Sequence, residues 1–121
     1  MDPAIAMYGA EPAGADDAAR SLARGSRIGD FHPNTICDGL RALVGEPNLD
    51  ALRTHRTQVI TVTDEETVAA MKLLWQELKQ IVEVSSATVL AAVLKQPEHF
   101  AGRRVGLVLS GGNVDLDALP W

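Results

Sequence analysis

The sequence predicts an α/β fold for residues 1–121, with a small parallel or mixed sheet and flanking helices. Two observations carry this prediction. Residues 58–62, which are rich in β-branched side chains, run directly into a long amphipathic helical pattern. A second apolar run, residues 105–109, stops at a glycine-rich turn. Strands that alternate with helices are typical of α/β proteins, and 121 residues suffice for one domain.

The first part of the chain predicts one strand and one helix. Residues 4–8 form a short apolar run and are expected to be a buried strand. Residues 9–14 contain Gly and Pro and are expected to be a loop. A helix should follow from Asp16 to Arg24, with Gly25 ending it.

The acidic residues near this helix have two interpretations. Asp16 and Asp17 lie where negative charge suits the first turn of a helix, as cap and dipole partner. Alternatively, Glu11 and Asp17 converge across the loop, with main-chain carbonyls, on a hard divalent cation such as Mg²⁺. The spacing alone favours the cap.

The middle of the chain is less informative. Residues 49–55 are expected to form a short helix. Asp38 stands beside Gly39, where it is either a turn residue or a carboxylate directed into a cleft; the sequence favours the turn.

The clearest helix begins at Thr63. Thr63 and Glu66 match a capping box, in which each side chain satisfies a backbone N–H at the start of the helix. Apolar residues then recur three and four apart, which predicts one buried stripe: Val68, Met71, Leu74, Trp75, Leu78, Ile81 and Val82. After an interruption at residues 83–86, a second helix is expected from Ala87 to Leu94. Glu83 lies between these apolar segments, where a charge needs a partner or a function.

The turn at residues 110–113, which follows the apolar run at residues 105–109, is a candidate ligand-binding site. Gly111 and Gly112 allow positive φ angles and close approach to the backbone, while Ser110 and Asn113 offer hydrogen-bonding groups. Ligands of open α/β sheets usually bind at the carboxyl ends of strands. A tight structural turn is the alternative.

Composition excludes several classes of protein. With 46% hydrophobic and 22% charged residues, the chain is typical of a globular protein. The net charge of -5 argues against a nucleic-acid partner. No apolar run reaches the roughly 18 residues of a membrane span. The single cysteine, Cys37, and the lack of a visible secretory signal suit a cytoplasmic location.

Five stretches, taken together and in this order, resemble serine racemases and the related threonine/serine dehydratases. The resemblance covers nearly the whole chain. The stretches are residues 11–17, Cys37 to Gly39, residues 62–66, Glu83 with its following serines, and residues 110–115. The chain departs from the family pattern after Glu83, where Val84 and Ser86 replace a proline and a glycine.

The resemblance implies a role for each of these stretches. It implies the fold-type II architecture of pyridoxal-phosphate enzymes, which racemise serine or eliminate water and ammonia from hydroxyl amino acids. Ser110 would bond the pyridine nitrogen of the cofactor, in a site shared with Glu83, Gly111, Gly112 and Asn113. Asp38 would lie near the substrate. Glu11, the Ala15 carbonyl and Asp17 would match the family's ligands for a divalent cation.

Two parts of the family pattern are not in this sequence. The Schiff-base lysine of a Ser-x-Lys-x-Arg-Gly motif and the glycine run that holds the cofactor phosphate have no counterpart, and the lysines present are Lys72, Lys79 and Lys95. No catalytic residue is therefore assigned. The chain is expected to be an incomplete, carboxyl-terminal piece of the fold-type II large domain, inactive alone.

Three functional hypotheses follow. The chain is part of a racemase or ammonia-lyase, and its partners are a hydroxyl amino acid and the missing amino-terminal portion. Alternatively, it is a non-catalytic module for a cation or small ligand, or a structural protein that associates through exposed sheet edges. A piece with uncovered apolar faces is expected to form homo-oligomers.

Overall fold

The computed structural model describes residues 4–121, which contain two strands and four helices. Short 3-10 turns at Ala13–Ala15, Asp38–Leu40 and Pro97–His99 connect them. In chain order the strands and helices are β1 (Tyr8–Pro12), α1 (Asp17–Arg24), α2 (Glu46–Thr54), β2 (Gln58–Val62), α3 (Asp64–Leu78) and α4 (Val84–Lys95). Within the described part of the chain, no helix is both long and apolar enough to cross a membrane.

The sheet consists of β1 and β2, which run parallel. Tyr8 lies opposite Gln58, and Pro12 lies opposite Val62 at the other end. The predicted α/β class, with a small parallel sheet and flanking helices, is therefore confirmed. Strand β2 has the predicted bounds.

Strand β1 lies later in the chain than the sequence predicts. It spans Tyr8–Pro12, so most of the expected loop at residues 9–14 is strand, and residues 4–7 are not. Pairing with β2 determines its position, because strand preference depends on cross-strand neighbours more than on the residue itself. Gly9 lies opposite Val59 in this pairing. A Cβ at position 9 would stand 3.3 Å from the Val59 side chain, so a larger residue would crowd this pair.

The predicted strand at residues 105–109 was wrong. These residues carry no strand pairing within the described chain, and Val108 is 77% exposed. An apolar run becomes a strand only when a neighbouring strand takes up its backbone hydrogen bonds. Neither β1 nor β2 pairs with this run.

Helix α3 begins as predicted and ends earlier than predicted. Thr63 Oγ1 accepts the Glu66 N–H at 3.1 Å, and Glu66 Oε2 accepts the Thr63 N–H at 2.7 Å, which completes the capping box. Met71 and Leu74 are buried, but Lys79 adopts a left-handed φ of 55° and ends the helix. Leu78 and Ile81, expected in the buried stripe, are therefore 51% and 55% exposed.

Helix α4 packs through small residues, as the sequence indicates. It begins at Val84, earlier than the predicted Ala87, so residues 84–86 form its first turn and do not interrupt the fold. Ala87, Ala91 and Ala92 are buried, and this alanine face allows a close approach to α3 and the sheet. The buried core joins Ile60, Val62, Ala70, Met71, Leu74, Val82, Ala87, Ala91 and Ala92.

The two shorter helices agree with the sequence in place and differ in their ends. Helix α1 spans Asp17–Arg24, and Gly25 ends it with a φ of 77°. Helix α2 spans Glu46–Thr54, where residues 49–55 were predicted. Leu49 is fully buried and attaches α2 to the rest of the chain.

Candidate functional site

The glycine turn lies directly against Glu83. The backbone N–H of Asn113 donates to Glu83 Oε2 at 2.9 Å, and the Glu83 N–H donates to the Gly111 carbonyl at 3.1 Å. Two hydrogen bonds in opposite directions therefore join this turn to the start of α4. The sequence-predicted neighbours Glu83, Gly111 and Asn113 are in contact.

The two glycines are required by this close approach. A Cβ at position 111 would overlap the Glu83 carboxylate. A Cβ at position 112 would stand 2.9 Å from the Ile81 carbonyl oxygen, closer than real Cβ atoms come. The turn is therefore packed against the loop between α3 and α4, and only glycine fits at its centre.

Glu83 serves both the helix and the turn. Its carbonyl accepts the N–H groups of Ser86 and Ala87 at 3.1 and 3.2 Å, as expected of the residue that precedes a helix. Its side chain does not cap α4 and extends to residues 111–113 instead. Val84 and Ser86 occupy the first turn of α4, so the departure from the family pattern is accommodated within a regular helix.

Asp38 reaches the same region through Ser85. The Gly39 N–H donates to Ser85 Oγ at 3.1 Å, and Ser85 Oγ donates to Asp38 Oδ1 at 3.4 Å. A Cβ at Gly39 would be 3.7 Å from Glu83 Oε1, so Gly39 passes beside that carboxylate. The structure therefore brings Asp38, Glu83 and the glycine turn around the amino-terminal end of α4.

A cavity of about 350 Å³ opens beside these groups. Asp38, Asn113 and Asp115 contribute its polar lining, while Met71 and Val84 are among its apolar lining residues. Such a volume falls within the range of small-ligand sites. Ser110 is exposed at the beginning of the turn, and its hydroxyl has no hydrogen-bond partner within residues 4–121.

Two tryptophans join the last residue of the chain to helix α3. The Trp75 Nε1–H donates to the Val82 carbonyl at 2.9 Å, next to Glu83. The ring of Trp121 meets that of Trp75 edge-to-face, with centroids 5.2 Å apart. This contact fixes the end of the segment that carries the turn. The sequence pattern does not reveal this contact, since it indicates Trp75 only as part of a buried stripe.

A second link was also missed by sequence reasoning. Asp64 accepts the Thr35 hydroxyl at 2.5 Å and the Ile36 N–H at 3.0 Å, which joins the start of α3 to the loop before Asp38. The capping-box pattern assigns no role to Asp64. No local pattern signals this bond, because its partners lie far apart in the sequence.

Glu11 caps helix α1 from outside the helix. Its two carboxylate oxygens accept the N–H groups of Ala18 and Ala19 at 3.0 and 2.9 Å. The predicted cap, Asp16, makes no such side-chain bond. Burial raises the pKa of Glu11 above its usual value, and the charges of Asp17 and Asp16 act in the same direction, against the lowering effect of the two N–H donors.

Asp17 is the most buried carboxylate in this region. It is 2% exposed, and its Oδ2 accepts the Val44 N–H at 2.6 Å. The predicted cation ligands Glu11, Ala15 and Asp17 thus lie around one short turn, with both carboxylates on backbone donors. Within residues 4–121, no group of three or more His, Cys, Asp or Glu side chains is arranged to hold a metal.

The three lysines lie away from the turn. Lys79 donates to the Gln76 carbonyl at the end of α3. Lys95 pairs with Glu66 Oε2 at 3.0 Å. Lys72 is exposed on α3. The described residues therefore place no lysine amine in the cavity lining.

Comparison with known proteins identifies the family of this chain. Residues 1–111 match the family described as pyridoxal-phosphate dependent enzymes. The chain is 46% identical over its whole length to a beta-hydroxyaspartate dehydratase of Paracoccus denitrificans, of which it covers 38%. It is 44% identical to a serine racemase of Dictyostelium discoideum, covering 98% of this chain and 38% of the relative.

A solved structure shows the same fold. The structure of maize serine racemase matches 96% of this chain with a TM-score of 0.89 and 41% identity, and the match covers 38% of the maize chain. The chain therefore spans well under half the length of the relatives it matches. On the family match and the shared fold, this chain belongs to the pyridoxal-phosphate dependent enzymes of fold-type II.

Proposed function

We propose that this chain forms the side of a pyridoxal-phosphate site that holds the pyridine ring, in an enzyme that racemises or eliminates hydroxyl amino acids. The observation that carries the proposal is the contact between Glu83 and the turn at residues 110–113. Ser110 is exposed at the start of this turn, and Asn113 at its other end lines a small cavity. Relatives that act on hydroxyaspartate and serine, by their names, support this substrate class.

The residues of the turn suit the ring end of this cofactor. The Ser110 hydroxyl would donate one hydrogen bond to the pyridine nitrogen, and a neutral partner there leaves the nitrogen largely unprotonated. Gly111 and Gly112, packed against the Glu83 carboxylate and the Ile81 carbonyl, would fix the course of the turn and so the position of Ser110. When bound, the cofactor supplies the electron-withdrawing ring for chemistry at the amino-acid α-carbon, which its ring nitrogen tunes.

The acidic side chains would position the turn and make the cavity negatively charged. Glu83 would hold the turn in place through Asn113 and Gly111. Asp38, held by Ser85 and exposed at the cavity, would face the substrate side. Because Asp38 and Asp115 both line the cavity, a substrate amino group would be favoured near them over a carboxylate.

The chain alone is proposed to be inactive. Covalent catalysis with this cofactor needs an amine at its aldehyde, and the three lysines lie elsewhere. The lysine and the phosphate-binding groups would come from a second stretch of polypeptide. In each relative, the part outside the match is the larger part of the protein. A reducing compartment such as the cytoplasm suits the free, buried thiol of Cys37.

The test separates binding from catalysis. The purified chain is titrated with pyridoxine phosphate, which lacks the aldehyde and needs no lysine, and binding is followed by tryptophan fluorescence. Weak binding is expected, and Ser110→Ala should reduce it about fivefold, the value of one net hydrogen bond of about 1 kcal/mol. Thr54→Ala, on the distant helix α2, is the control and should leave the affinity unchanged.

The second arm is an assay with pyridoxal phosphate and L-serine, L-threonine or β-hydroxyaspartate, with keto acid and D-serine as readouts. No turnover is expected. Turnover that Ser110→Ala abolishes would show that the chain has its own active site. Complete failure to bind pyridoxine phosphate would contradict the proposed cofactor site at residues 110–113 and favour a purely structural protein.

A divalent cation at Glu11, the Ala15 carbonyl and Asp17 is a second part of the proposed function. The supporting observation is that the Glu11 carboxylate accepts the N–H groups of Ala18 and Ala19 in the first turn of α1, which begins at Asp17, and that the short turn Ala13–Ala15 connects Glu11 to this helix. Carboxylate and carbonyl oxygens are the ligands that Mg²⁺ and Ca²⁺ prefer. Such an ion would replace their mutual repulsion with attraction and would fix α1 to the end of β1. A cation-binding module without catalysis remains the alternative to an enzyme piece.

A further inference from the structure

One wall of the cavity beside the glycine turn is a loop, residues 34–38, that rests on the start of α3. Ile36 and Asp38 of this loop line the cavity of about 350 Å³. Thr35 and Cys37, which alternate with them, are buried at 5% and 0% exposure. Two residues of the loop therefore anchor it in the fold, and the two between and after them face the cavity.

We propose that Asp64 is a positioning residue for this cavity. Through Thr35 and the Ile36 backbone it fixes the loop that presents Ile36 and Asp38, and so it sets how tightly the site holds a ligand. The choice of ligand for the test rests on the proposed function, whereas the effect of Asp64 on the loop does not.

The Asp64 carboxylate bonds two successive residues of the loop. Its Oδ1 accepts the Thr35 hydroxyl at 2.5 Å, and its Oδ2 accepts the Ile36 N–H at 3.0 Å. Hydrogen bonds to an ionised acceptor are the stronger kind, and two of them from one planar carboxylate also fix an orientation. The same Thr35 hydroxyl accepts the Cys37 N–H at 3.1 Å, so the network reaches the residue before Asp38.

Asp64 stands on a well-ordered helix start. It is the first residue of α3, and the capping box of Thr63 and Glu66 satisfies the backbone on either side of it. Thr67, one turn further, is fully buried, and its hydroxyl donates to the Thr63 carbonyl at 2.8 Å. The carboxylate therefore transmits the position of α3 to the loop.

Two other contacts hold the loop at residues 34 and 35. The Arg41 guanidinium donates from Nε to the Thr35 carbonyl at 2.9 Å, and from Nη2 to the same oxygen. The Asn34 N–H donates to the Gly14 carbonyl at 2.8 Å. Neither contact extends to Ile36. Among the described residues, Asp64 supplies the one side chain that bonds the Ile36 backbone.

Asp38 depends on this support, because its own side-chain contacts are weak or local. Its Oδ1 accepts the Gly39 N–H at 2.9 Å, which is the next residue in the chain. The Ser85 hydroxyl donates to the same oxygen at 3.4 Å, longer than an ordinary bond between two oxygens. The carboxylate is therefore placed mainly by the backbone that carries it, and Asp64 holds that backbone.

The first measurement follows the loop and needs no ligand. In ¹H–¹⁵N NMR spectra the Gly39 amide reports on Asp38, since its N–H bonds both Asp38 Oδ1 and Ser85 Oγ. Asp64→Asn and Thr35→Val are each expected to shift this signal, and Thr35→Ser, which keeps the hydroxyl, should restore it. Glu66→Gln should leave it in place, because Glu66 bonds the Thr63 N–H and Lys95 and not the loop.

The second measurement is the binding of pyridoxine phosphate to the folded chains, followed by tryptophan fluorescence. Asp64→Asn and Thr35→Val should each weaken binding about fivefold or more, because the loss of a hydrogen bond lowers the population of chains whose loop is competent to bind. Thr35→Ser should bind like the unaltered chain. Glu66→Gln should do so as well, although it lowers the stability of the same helix start.

Two results would overturn the proposal. One is an equal loss of affinity in Asp64→Asn and Glu66→Gln, since Asp64 would then act through stability alone. The other is an Asp64→Asn chain whose Gly39 signal stays unchanged. If the unaltered chain does not bind pyridoxine phosphate, the proposed function fails by itself, and the Gly39 signal decides whether Asp64 positions the loop.

Discussion

The Glu83 carboxylate occupies the place that a side chain at Gly111 would need. Gly111→Ala should therefore displace either the carboxylate or the turn and break the Asn113 bond to Glu83. We expect a loss of about 1.5–3 kcal/mol in unfolding free energy, the range for a hydrogen bond to a charged group. Urea denaturation measures it, and pyridoxine phosphate binding should weaken in parallel.

Gly29→Ala is the matched control for this substitution. A Cβ at Gly29 meets nothing within 4 Å, and Gly29 does not have a positive φ. Its effect should stay within about 0.5 kcal/mol. Equal effects of the two substitutions would show that the turn is not held against Glu83 as described.

The sequence was informative where the determinants are local. The capping box at Thr63 and Glu66 and the β-branched strand at Gln58–Val62 appear at their predicted positions, because each depends on neighbouring residues. The glycine pair at 111 and 112 was also a reliable signal, since a close backbone approach has few other solutions. These elements place Glu83 and the turn together.

Distant contacts could not be predicted in this way. The run at residues 105–109 has strand composition, but composition does not supply a neighbouring strand. The position of β1 likewise depends on β2. The cap of α1 by Glu11, from outside the helix, is not predicted by the sequence, which indicates Asp16 and Asp17 as the cap and dipole partner and Glu11 only as a candidate cation ligand, because it does not show how β1 meets α1. The roles of Ser110 and Asp38 came from the resemblance to serine racemases and stay predictions.

Asp64 is predicted to stabilise the loop before Asp38. Asp64→Asn leaves a single acceptor oxygen for the Thr35 hydroxyl and the Ile36 N–H, and places an NH₂ against one of them. We expect the unfolding free energy to fall by about 1–3 kcal/mol. Glu65→Gln, an exposed neighbour on the same helix turn, is the control. If both variants melt alike, the Asp64 link contributes no stability.

Glu66 should give the chain an acid-sensitive contribution to stability. The Thr63 N–H and then Lys95 hold the pKa of Glu66 below its ordinary value of 4.5. A lowered folded pKa means that the stabilisation is present above pH 4.5 and is lost as the pH falls through the folded pKa. Glu66→Gln should therefore destabilise the chain near neutral pH and less so at acid pH, in urea melts over a pH series. A pH-independent difference between the two proteins would contradict this.

Glu11 titrates in the opposite direction, and this bears on the proposed cation. Its raised folded pKa means that the stability contribution is complete below 4.5 and is lost as the pH rises through the folded pKa, because the buried carboxylate then ionises beside Asp17. A divalent cation should reverse that loss. We therefore expect Mg²⁺ to raise the melting temperature, with a larger shift as the pH rises through the pKa of Glu11, because the proton must leave before the ion binds. The stabilisation reaches about 2.7 kcal/mol when the free Mg²⁺ concentration is a hundred times the dissociation constant.

The double variant Glu11→Gln with Asp17→Asn should lose the shift, whereas Asp16→Asn, whose carboxylate lies beside Arg20, should keep it. No shift in the unaltered chain at any of these pH values, or the same shift in the double variant, would mean that Glu11 serves only to cap α1.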